Sequence, residues 1–109
     1  MVETMQASVE FESIGTATEL WGGIQANFVV HRPGRHGKEV AVVLNTPAAK
    51  FVAEALGRPD TLEFQESATR LLGQAWLERV LMRGERADSV VFISRAILER
   101  EPTLIEAMR

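Results

Sequence analysis

Two apolar segments flank Arg32-Pro33-Gly34-Arg35-His36-Gly37-Lys38, a stretch that neither a strand nor a helix accommodates. Before it, Ile24, Ala26, Phe28 and Val30 alternate with polar Gln25 and Asn27, the period of a strand with one buried face. After it, Glu39 to Asn45 reads as a more buried strand, because Val40-Ala41-Val42-Val43-Leu44 is apolar on both faces. Pro33-Gly34 marks the turn between them, so the pair forms a β-hairpin with a basic tip. A hairpin alone cannot bury its apolar stripe in water. A further strand is predicted over residues 7–14, with Val9 and Phe11 on one face and Glu10 and Glu12 on the other. Trp21 stands outside these patterns, just before Gly22-Gly23, and is expected to be partly exposed.

The rest of the chain switches to helical spacing. Thr46-Pro47 is a helix start, Thr capping and Pro occupying the first turn. That helix carries Ala48, Val52, Ala55 and Leu56 and stops at Gly57, with Pro59 beyond. Asp60 is expected to cap the next helix, with Glu63 completing a capping box, and the helix runs to about Arg83 before Gly84. Its apolar face is read as Phe64, Ala68, Leu71, Leu72, Ala75, Trp76 and Met82, with Glu63, Glu66, Arg70 and Gln74 opposite. After a polar turn with Glu85, Arg86 and Asp88, Ser89 to Ser94 reads as a last strand. Pro102 to Arg109 holds a short helix whose Leu104, Ile105 and Met108 need a surface to pack on, either this sheet or a second subunit. The expected fold is one α+β domain over residues 1–109, in the order β-β-β-α-α-β. It has a mostly antiparallel sheet of about four strands and two main helices on one face.

Composition narrows the function classes. The chain has no cysteine, which removes disulfides, thiolate metal sites and cysteine nucleophiles. A net charge of −3 argues against a surface built as a whole for nucleic acid. No apolar run approaches the ~20 residues of a membrane span. Met1 to Glu12 lacks the basic-then-apolar order of a secretory leader, so a cytoplasmic protein is expected. His31 and His36 have no third ligand at metal-site spacing, and neither a metal nor another cofactor is expected. Ser94 and Thr46 are candidate hydroxyl nucleophiles without a base placed beside either.

Arg32, Arg35, His36 and Lys38 lie within seven residues around the glycines of the hairpin turn. They could serve an anion through their side chains and the turn amides. Their plainer role is to keep a hairpin tip soluble, and no aromatic stands among them to stack a base.

Three stretches carry a family likeness. Residues 37–57 combine a strand, a short turn and a helix with the pattern A-x-x-x-A-x-x-L-G, ending in Ala53-Glu54-Ala55-Leu56-Gly57. Ser67-Ala68-Thr69-Arg70-Leu71-Leu72-Gly73-Gln74 is similar to a helix of pattern S-A-x-x-E-x-x-N, and Val91-Phe92-Ile93-Ser94-Arg95-Ala96-Ile97 to a strand and exit of pattern V-x-I-S-x-P-x. Over roughly residues 22–98 the chain thus resembles the CheC/CheX family of bacterial chemotaxis phosphatases. In that family the Glu and Asn of the helix face a phosphorylated receiver domain, and the Asn orients the water that attacks the aspartyl phosphate. Leu71 and Gln74 occupy those places here, and Ala96 replaces the Pro.

The resemblance therefore implies the fold without the chemistry. Leucine has no polar group, and glutamine displaces its amide by a methylene where misplacement by about 1 Å is costly. It implies a non-catalytic interaction module that dimerises, through sheet extension or its long helix, and takes a receiver domain as partner. Glu66, Ser67, Arg70, Leu71, Gln74 and Glu78 are the docking residues it implies. The alternatives are a weak phosphatase, with Gln74 in place of the Asn and Glu66 or Glu78 as anchoring carboxylate, and a small structural homodimer.

Overall fold

Strand β1 (Ser8–Thr16) solves a problem of phase. Val9 and Phe11 share a face by simple alternation, but Ile14 has the opposite parity. In the computed structural model, which describes residues 7–17 and 22–109, Phe11 lies opposite Phe28 of strand β2 (Ile24–His31) and Ser13 opposite Asn27. Glu12 is thus an extra residue, a bulge that shifts the alternation by one. Val9, Phe11 and Ile14 all pack on the core as a result. Trp21, and with it the start of the N-terminal stretch, lies outside the described residues.

In β2 the expected alternation holds at every position: Ile24, Ala26, Phe28 and Val30 are buried. β2 pairs antiparallel with β1 and with β3 (Lys38–Leu44), which closes the predicted hairpin. Val42, Val43 and Leu44 are buried in succession, as their apolarity on both faces requires. The fourth strand, β4 (Val90–Ile93), lies beside β3 and parallel to it, which gives a mixed sheet of order β1-β2-β3-β4. A parallel neighbour requires a long crossover, and the two main helices are that crossover.

Helix α1 (Thr46–Leu56) is capped by Asn45 rather than Thr46, with Asn45 Oδ1 accepting from the Ala48 amide at 2.8 Å. Helix α2 (Leu62–Met82) is capped by Thr61 rather than Asp60, with Thr61 Oγ1 accepting from the Phe64 amide at 3.1 Å. Asp60 instead accepts from the side-chain amide of Gln65. In both cases two capping residues stand side by side, and the one that serves has extended backbone directly before the first turn.

α2 lies close on the sheet. A Cβ on Gly73 would stand 2.8 Å from Phe28 Cε2 and 3.3 Å from Val42 Cβ, so a residue without a side chain permits this approach. Phe64, Ala68, Leu72 and Leu77 of α2 are buried with Ala48, Ala49, Val52 and Ala53 of α1. Buried Thr69 donates its hydroxyl to the Gln65 carbonyl. Trp76 is half-buried against this core.

Two residues assigned to the apolar face of α2 do not belong there: Leu71 is 40% exposed and Met82 is 87% exposed. At 3.6 residues per turn Met82 falls within roughly 20° of Leu71, and both fall in phase with Glu78 on the outer side. Beyond β4, α3 (Arg95–Arg100) occupies what sequence spacing left as a strand exit. Ser94 caps it, accepting from the Ile97 amide at 3.3 Å. α4 (Thr103–Glu106) buries Leu104 and Ile105 in the same core, so the tail packs on its own domain. Among the described residues no helix is long and apolar enough to cross a membrane.

Candidate functional site

The stripe of α2 singled out from sequence divides in two. Arg70 and Gln74 turn toward edge strand β1. The Arg70 guanidinium lies 4.2 Å from the centre of the Phe11 ring, a cation–π contact, and Phe11 meets Phe28 edge-on at 5.8 Å. Gln74 Nε2 donates to the Val9 carbonyl at 3.2 Å and to Glu78 Oε1 at 2.7 Å. A primary amide has two N–H groups, and both are committed. These two residues fasten β1 to the helix.

Ser67, Leu71 and Glu78 remain exposed, while Glu66 is half-buried. Helical phase adds Met82, an apolar residue that is exposed rather than on the core face. The result is an outer stripe with two apolar side chains about three turns apart, bordered by hydroxyl and carboxylate groups. Nothing on this stripe pairs a nucleophile with a base.

A second candidate site forms at the basic hairpin tip. Because β3 and β4 run parallel, the start of β3 and the loop entering β4 share one end of the sheet. There the hairpin tip meets loop 84–87. Arg32 donates to the Glu85 carbonyl and Lys38 Nζ to the Ala87 carbonyl. Together they enclose an open concavity of about 840 Å³, rimmed by Arg32, Arg35, His36, Lys38 and Arg86, with Glu85 the one carboxylate. The tip is a wall, not a free solvated turn. Arg86 is a member that sequence proximity could not supply, since it lies far along the chain from Lys38.

The remaining candidates have structural employment. His31 Nε2 meets Glu10 Oε2 at 2.8 Å across β1 and β2. On the same outer face Gln25 donates to Asn27, and Asn27 to Ser13 Oγ. Ser94 caps α3, and Thr46 sits exposed in the first turn of α1. Among the described residues no three His, Cys, Asp or Glu side chains converge in a way that would hold a metal ion.

Comparison of the chain with protein-family models, with curated proteins and with solved structures gives no match.

Proposed function

We propose that this chain is a non-catalytic interaction module that docks a response-regulator receiver domain on the outer stripe of α2 and pairs with a second copy of itself. The observation that carries the reading is the commitment of Gln74. Its two N–H groups are held by Val9 and Glu78, so it has no donor to offer an attacking water. Leu71 at the neighbouring place has no polar group, yet it is exposed, as a contact residue must be. Apolar side chains ringed by polar ones are the usual make-up of a docking patch. What supports self-pairing is the β4 edge, where Val90 is 46% exposed. The β1 edge is by contrast guarded by a bulge and by Glu10.

Sedimentation of the chain alone and mixed with receiver domains from its host tests the reading. The free chain is expected to sediment as a dimer and to form a larger complex with a receiver domain. Leu71→Asp should weaken that complex by about tenfold or more while the dimer persists. Gln74→Ala should leave the complex in place. Arg70→Glu is a poor probe, because it also releases Phe11. A monomeric chain, or a complex indifferent to Leu71→Asp, contradicts the proposal.

A further inference from the structure

We propose that the concavity between the hairpin tip and loop 84–87 binds a soluble ligand carrying two or more adjacent phosphates. Four permanent cations, Arg32, Arg35, Lys38 and Arg86, rim it together with His36, against the single carboxylate of Glu85. The chain as a whole carries −3, so the concavity inverts the sign of the molecule locally. Such a concentration of like charge is unfavourable unless something neutralises it. The protein itself does not: no described carboxylate lies within 4.0 Å of any of these five side chains, and the ion pairs of the described residues involve His31, Arg83, Arg95 and Arg109.

Part of the cluster is structural. Arg32 and Lys38 each donate to a loop carbonyl, and those bonds hold the two walls together. A guanidinium has five N–H groups and an ammonium three, so donors remain on both after these bonds. Arg35, His36 and Arg86 have no side-chain partner among the described residues and are exposed on the rim. Arginines make paired, charge-assisted hydrogen bonds to phosphate oxygens.

Size and chemistry together select the ligand class. About 840 Å³ lies within the range of small-molecule sites and far exceeds one phosphate. A ligand that reaches the cations of both walls must carry charge at more than one point. No Phe, Tyr or Trp lines the concavity, so its contacts favour the charged group of a ligand over a base. The recognised feature is the phosphate array itself.

Calorimetric titration of the full chain with sodium tripolyphosphate tests this. One ligand should bind per chain, more weakly as salt is raised. Arg35→Glu and Arg86→Glu should each lower the affinity about tenfold or more without moving the unfolding midpoint. Lys50→Glu, at an exposed lysine on α1, removes the same charge and should change affinity by no more than about twofold. Absence of binding at millimolar tripolyphosphate overturns the proposal, as does an equal loss in Lys50→Glu. Orthophosphate binding as tightly as tripolyphosphate overturns the adjacent-phosphate requirement. Tighter binding of a single-stranded oligonucleotide, or of vesicles bearing phosphoinositides, overturns the assignment to a small soluble ligand. None of these outcomes bears on the α2 stripe.

Discussion

Phe28→Ala is expected to lower stability by about 4 kcal/mol, near the top of what a single truncation costs. The Phe28 ring is fully buried, with the backbone of α2 above it at Gly73 and the Phe11 ring against its edge. Removing it leaves a cavity that nothing close by can fill. Gly73 has no side chain to lower, and α2 cannot descend as a whole because Leu72 and Leu77 already rest in the core. Phe11 would lose its ring partner, so β1 should loosen as well. A domain of this kind holds roughly 5–15 kcal/mol in total, so the variant should fold with a much reduced margin. Urea titration measures this through the midpoint at unchanged slope. A loss below about 1.5 kcal/mol would mean that α2 does not bear on Phe28 as described.

Gly23→Ala should cost about 3 kcal/mol or more, through an unfavourable backbone conformation and a clash together. Gly23 has φ of +84°, a conformation that an L side chain resists. A Cβ there would also stand 2.2 Å from the Leu44 carbonyl oxygen and 2.9 Å from Asn45 Cα. Those atoms are not free to yield. Leu44 pairs with Ile24 in the sheet, and Asn45 caps α1. Any relief therefore disturbs either the end of the ladder or the cap, each worth about 1 kcal/mol. Gly22→Ala is the matched comparison: φ is +65° but a Cβ there meets nothing within 4 Å. It should cost about 1 kcal/mol, the conformational part only. Equal losses at the two positions, measured by the same titration, would contradict the packing of Gly23 against the β3–α1 junction.

Local chemistry made the hairpin, the two main helices and the final strand readable in the sequence. Alternation from Ile24 to Val30 and the unbroken apolar run of β3 report their own burial. Three other features were less accessible. The Glu12 bulge depends on the pairing of β1 with β2, and alternation alone leaves Ile14 on the wrong face. The outer placement of Leu71 and Met82 follows from helical phase, which their apolar character masks. The direction of β4 leaves no mark on its side-chain pattern. Since Arg86 joins Arg32 and Lys38 only because β4 runs parallel to β3, the basic concavity was half visible, as a charged hairpin tip without its second wall. Likewise Gln74 and Arg70 look like free surface residues in the sequence, because their partners Val9 and Phe11 lie more than 50 residues away.

The commitment of Gln74 to β1 is the centre of the functional account, and the loss of phosphate from a phosphorylated receiver domain tests it most directly. The rate should be the same with and without this chain, even at concentrations where the two proteins form a complex, and Gln74→Ala should not change it. A faster loss of phosphate in the presence of the wild-type chain, abolished by Gln74→Ala, would show that the glutamine leaves Val9 and Glu78 to act on water, and would make the protein an enzyme.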